Sequence, residues 1–175
     1  MTKIVGAGLA IAIALLPITG AAAQTQNRVD AKKDWSIFEA SQDGGKVCWI
    51  ASTPTKSVAL RGGKQVQVNR GDIYLMVAVR PADGVKNEVS FISGYPLKKG
   101  SEVETTVGDD SFEMFTSGEN AWPPSPEEDD RFVAAFKRGI DARVEGISQR
   151  GTTTVDTFSL IGFTDALEAA MQRCQ

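Results

Sequence analysis

Histidine is absent from all 175 residues of the chain. Its absence excludes Ser-His-Asp and Cys-His nucleophile relays, imidazole metal ligands and any histidine-based pH switch. Cysteine is scarce: there are two, and positions 48 and 174 have neither the spacing of a zinc site nor that of a CxxC redox motif. Positive charge is not concentrated anywhere, since 19 Lys and Arg stand against 22 Asp and Glu for a formal charge of −3. No nucleic-acid partner is expected, because neutralising phosphates requires clustered Lys and Arg. The GxSxG, HExxH, GxGxxG and Walker patterns are also missing. What remains for an enzyme is carboxylate chemistry or a Ser/Lys pair. The acids that can be placed, Glu127, Glu128, Asp129 and Asp130, sit at a helix start, where the helix dipole accounts for them. The expectation is therefore a non-catalytic protein with no catalytic, metal or cofactor-binding residues.

A long apolar run occurs only at the beginning. Lys3, the stretch "IVGAGLAIAIALL" and the small residues Ala21-Ala22-Ala23 have the three parts of a secretory signal peptide. The expectation is cleavage near Ala23, a mature chain from Gln24 without a membrane span, and a periplasmic or secreted location. The run is too short and wrongly flanked for a membrane anchor. An oxidising compartment lets Cys48 and Cys174 bond to one another. That bridge would close a 126-residue loop, for which chain entropy gives about 5 kcal/mol before strain is subtracted.

Residues 24–33 are polar and aperiodic, and read as a flexible lead-in to one domain over 34–175. From Asp34 the pattern is of short strands separated by turn residues. "DWSIFEA" and "KVCWIAS" flank a Gly44-Gly45 turn. "DIYLMVAVR" is apolar on both parities and reads as a central strand covered on both faces. "NEVSFIS", "EVETTV" and "SFEMFT" alternate as half-exposed strands do, the last two joined by a hairpin at Gly108-Asp109-Asp110. "DARVEGISQ" and "TTTVDTFSLIGF" form a further hairpin turning at Arg150-Gly151-Thr152. Two helices are predicted. One has Ser125 as N-cap, Pro126 at its first position and Glu128 in a capping box. The other starts at Thr164 and aligns Leu167, Ala170, Met171 and Cys174 on one stripe, which turns Cys174 toward the protein body. The architecture read from these signals is mainly β, a sandwich with two short helices, the C-terminal one stapled to a strand by the disulfide.

A set of short segments adds a resemblance: "DW" at Asp34, "RGD" at Arg70, "GYP" at Gly94, "AW" at Ala121, "KRG" at Lys137, and above all "RGTTTVDTFSLIGF" with Cys174 beyond it. On these, residues 34–174 resemble the invasion-associated locus B family of exported alphaproteobacterial proteins. The resemblance implies an immunoglobulin-like β-sandwich and an exported location. It brings no catalytic residues with it.

Three places invite a functional reading. The threonine-rich strand carries Asp156 on the parity of Phe158 and Leu160, the core side. A carboxylate there needs a partner, and Arg150 or Arg143 across the hairpin is the expected one. "RGD" is read as a turn glycine leading into a strand, in preference to an adhesive tripeptide. Trp122, Tyr95, Lys98 and Lys99 make up a candidate contact surface, although Trp122 is expected to pack over the start of the following helix. The function expected is that of an exported binding or envelope-associated interaction module, its partner an unidentified protein or envelope component. The alternatives are a small carboxylate-dependent periplasmic hydrolase, and an inhibitor or assembly factor of another periplasmic protein.

Overall fold

Apolar and polar residues alternate through most of the chain, and the computed structural model, which describes residues 27–42 and 45–175, turns that alternation into one sheet. The expected signal peptide over residues 1–23 and Gly44 of the expected turn lie outside the described residues. In chain order the strands are β1 (Asn27–Lys32), β2 (Trp35–Gln42), β3 (Gly45–Ser52), β4 (Lys56–Arg61), β5 (Lys64–Gln65), β6 (Tyr74–Arg80), β7 (Val85–Ile92), β8 (Glu102–Val107), β9 (Asp110–Ser117), β10 (Asn120–Trp122), β11 (Asp141–Ile147) and β12 (Thr153–Ser159). Helix α1 (Pro126–Arg138) precedes β11, and α2 (Phe163–Arg173) follows β12. The twelve strands form a single antiparallel sheet in the order β1-β2-β3-β6-β7-β10-β9-β8-β11-β12-β4-β5.

The sheet folds over on itself, so its two halves face one another as the layers of a sandwich. Four strands separate β7 from β12 in the sheet, yet the rings of Phe91 and Phe158 meet edge to face at 6.2 Å. The indole Nε1 of Trp35 on β2 donates to the carbonyl of Ser159 at the end of β12, at 3.0 Å. Ile37, Ile50, Leu75, Val77, Val89, Val103, Met114 and Val144 fill the space between the halves. Burying side chains of this size contributes about 1.5–3 kcal/mol each.

The helices close the assembly. Ser125 accepts the Glu128 backbone N–H, and Pro126 opens α1, as its capping pattern predicts. Phe132 of α1 lies 4.3 Å from the Phe112 ring and Phe136 lies 5.3 Å from Phe163. Helix α2 begins one residue before the expected Thr164, after Gly162 at φ 88°. A side chain at Gly162 would collide with the Lys32 carbonyl, so glycine is needed there both for conformation and for space. Cys174, just past α2, bonds Cys48 on β3 and joins the C-terminal helix to the sheet.

Two expectations change. Asn27–Lys32, the latter part of the expected flexible lead-in, pairs with β2 as an edge strand. Its partly buried Val29 and the β2 backbone provide the ordering energy that polar composition concealed. On β6 only Leu75, Val77 and Val79 are buried, while Tyr74, Met76 and Ala78 are half-buried. The second face of β6 is thus only half-buried, with no layer of the described residues fully covering it.

Because the bridge spans 126 residues, replacing both cysteines by alanine is expected to lower unfolding free energy by about 2–5 kcal/mol. Urea denaturation of the double variant measures this, and an unchanged midpoint with an unchanged slope would contradict it.

Candidate functional site

The burial alternation of β12 places Thr154, Asp156 and Phe158 inward. Asp156 is fully buried, and Ser57, directly opposite it on β4, donates to its Oδ1 at 2.6 Å. The guanidinium of Arg70 supplies the counter-charge in a two-pronged pair, Nη1 to Oδ1 at 2.7 Å and Nη2 to Oδ2 at 2.6 Å. The Arg70 side chain is only 8% exposed. Its Nε and Nη2 also donate to the Ser93 carbonyl at 3.0 and 2.7 Å. Charge is thus matched by charge, and hydrogen bonds occupy the remaining valences, the condition under which a buried pair is tolerated.

The expected partners of Asp156 are therefore corrected. Arg143 lies opposite Thr157 in register, on the other face of the hairpin, and pairs with Glu145 at 2.6 Å. Arg150 is exposed in the turn before β12, six positions before Asp156, and makes no ion pair with it. The true partner is remote in sequence: Arg70 comes from the segment between β5 and β6, and no local periodicity points to it.

The same guanidinium sits 4.9 Å from the centre of the Tyr95 ring, and the Tyr95 hydroxyl shares a 2.6 Å hydrogen bond with Thr154. Burial pushes the Tyr95 phenol above its ordinary pKa, against the opposing pull of the Thr154 hydrogen bond and the Arg70 charge. It remains a protonated hydroxyl at neutral pH. Gly71 and Gly94 let two backbones meet here. The Gly71 N–H donates to the Gly94 carbonyl at 2.8 Å, and a Cβ on Gly94, whose φ is 70°, would stand 2.6 Å from the Gly71 oxygen. The "RGD" and "GYP" segments and the aspartate of the threonine-rich strand thus converge on one place.

Beside this cluster an open groove of about 510 Å³ is formed by the segment after β5, the turn after β7 and the β11–β12 turn. Arg70, Tyr95 and Thr154 line it together with the exposed Arg61, Gln67, Asn69, Gln149 and Arg150. Arg61 donates from Nε and Nη2 to the Thr152 hydroxyl at 3.1 and 2.8 Å. Among the described residues, Glu119 is the one acid of the lining. Thr152 and Thr154, which strand propensity alone explains in the sequence, thus orient two groove side chains. Sequence reasoning missed Arg61 and the amides; the Gly62-Gly63 turn after Arg61 was the available signal.

The remaining predicted positions scatter. Tyr95 lines the groove, whereas Lys98 and Lys99 are exposed in the following turn and take no part in it. Trp122 lies on the outer side of β10, with its ring 5.7 Å from Phe115 on β9. In the "RGD" tripeptide Asp72 is exposed but the arginine is buried in its ion pair, so the charged ends are not jointly accessible. Among the described residues no group of three or more His, Cys, Asp or Glu could hold a metal ion. No helix among them is long and apolar enough to cross a membrane.

Removing one member of the pair leaves a buried charge without compensation. Asp156→Asn and Arg70→Met are each expected to destabilise the fold by about 3–5 kcal/mol. The double variant should lose clearly less than the sum of the two. Denaturant titration of the four-member cycle measures the coupling, and simple additivity would argue against a direct pair.

Comparison with known proteins bears on fold and family. No match is found among curated proteins. Among solved structures, the crystal structure of invasion associated protein B from Bartonella henselae is similar in fold, with a TM-score of 0.55 and 18% identity over 83% of this chain and 96% of that one. Residues 35–171 match the family model described as invasion associated locus B (IalB) protein, a span that includes Arg70, Tyr95 and Asp156 as well as both helices up to Met171. The chain belongs to the invasion associated locus B family.

Proposed function

We propose that the mature chain, exported by its N-terminal signal peptide to the periplasm or beyond, is a non-catalytic binding module that takes its ligand in the groove beside Arg70 and Tyr95. The observation that carries this reading is the way the groove's chemistry is spent. Its buried acid, Asp156, is bound to Arg70 and Ser57, and Tyr95 is held as a neutral phenol. What faces the opening is a set of hydrogen-bond donors and acceptors on a rigid frame, which suits orientation of a ligand. A carboxylate hydrolase needs two acids placed across a scissile bond, and among the described residues the lining offers Glu119 alone. The disulfide supports an oxidising compartment.

A second reading, an inhibitor or assembly factor for another envelope protein, is favoured by the outer sheet face. There Phe38 stacks on Trp49 at 5.3 Å, and Phe115, 49% exposed, lies against Trp122.

Both readings meet one test. The mature chain, immobilised, is exposed to envelope extract beside an Arg61→Ala/Arg150→Ala variant, and the eluted material is analysed chemically. The wild type is expected to retain a component and release it unchanged, with the variant retaining several-fold less. Retention lost on Phe115→Ser but not on the groove variant would transfer the role to the outer face. Turnover of a bound component into product would overturn the non-catalytic reading.

A further inference from the structure

Within the binding reading just given, on which this inference rests, the lining of the groove restricts the ligand class. We propose that it recognises a carboxylate-bearing saccharide.

Charge comes first. The Arg70 cation is cancelled by Asp156 at 2.6 Å, so Arg70 acts as scaffold. Arg61 and Arg150 are different: neither has a carboxylate within ion-pair distance among the described residues. Arg61 is nevertheless positioned, because the Thr152 hydroxyl holds its Nε and Nη2 and leaves its other N–H groups to a ligand. Thr152 itself is buried, and its backbone N–H is fixed by the Ser148 hydroxyl at 3.0 Å. An arginine held in this way presents a planar fork that matches a carboxylate in two-point fashion.

The amides come second. Gln67, Asn69 and Gln149 line the groove, and none of their side chains makes a hydrogen bond to another described residue. Each side-chain amide offers donor and acceptor together, the pairing that a hydroxyl group satisfies from both sides. Tyr95, immobilised by Arg70 and Thr154, adds a rigid amphipathic ring that needs no ordering when a ligand arrives. Two free cations alone would suit many anions. Together with the amides and a fixed tyrosine they suit a polyhydroxylated one. The volume of about 510 Å³ falls in the range of small-ligand sites. Phosphate is a poorer match, because neither helix N-terminus, at Ser125 or Gly162, belongs to the lining.

Isothermal titration of the mature, disulfide-intact protein tests the assignment, using tri-galacturonate as probe, with neutral galactotriose and tri-glutamate as comparators. Saturable binding of tri-galacturonate is expected, weakened on the order of tenfold or more by Arg150→Gln or Arg61→Gln, as for loss of a charged hydrogen bond. Galactotriose and tri-glutamate should each bind at least about tenfold more weakly, for want of the charge and of the hydroxyls respectively. Both variants change exposed side chains, and circular dichroism with the urea midpoint verifies that they fold. Equal affinity for tri-glutamate would overturn the proposal in favour of an acidic peptide, and equal affinity for galactotriose would remove the role of the arginines. If no saccharide binds while the groove variant still fails to retain an envelope component, the ligand class falls and the binding reading survives. If neither effect is seen, both fall.

Discussion

One buried ion pair organises this protein. Asp156 is on a strand in one half of the folded sheet, and Arg70 comes from the chain between β5 and β6. An unpaired carboxylate at that depth would cost several kcal/mol. The chain can therefore bury β12 only if the segment carrying Arg70 folds back over it. Once there, the same guanidinium fixes Ser93 through its carbonyl and Tyr95 through its ring. The position of the groove follows from a charge that had to be neutralised.

The other constraints act at a distance from the groove. The Cys48–Cys174 bridge and the packing of α2 hold the C-terminus on the first half of the sheet. Trp35 ties that half to the end of β12, while α1 fills an end of the core with Phe132 and Phe136. Asp129 of α1 accepts the Val89 backbone N–H at 2.8 Å, and burial raises its pKa to about 6. None of these groups lines the groove. Exposed arginines and amides there are therefore free to vary without disturbing what keeps the protein folded.

Most of the architecture was legible in the sequence because it depends on local rules. Strand alternation, the N-cap at Ser125 and the i, i+3, i+4 stripe leading to Cys174 each require only neighbouring residues. The Glu128 carboxylate of the expected capping box pairs with Arg131 instead. The disulfide was legible because two cysteines have a single internal pairing. Failures occurred where tertiary contacts decide. Asn27–Lys32 has too little apolar content to look like a strand, and β4, β5 and the three-residue β10 are too short or irregular to show a period. The burial of Asp156 was readable from parity. Its partner was not, since strand periodicity gives the face of a side chain but not which distant loop crosses it. The groove was invisible for the same reason, being made of loops remote in sequence that meet only in the folded chain, through the Arg70 pair, the Gly71–Gly94 contact and the Tyr95–Thr154 hydrogen bond.

Native-state hydrogen exchange on Asp156→Asn, compared with the wild type, tests this dependence most directly. The account predicts lost protection at the Gly71 amide, which donates to Gly94, and along the β4–β12 pairing around Ser57. Protection in β2 and β3 around Cys48 should be retained. A Gly71 amide as protected in the variant as in the wild type would show that the groove segment does not need the ion pair, and would contradict the account.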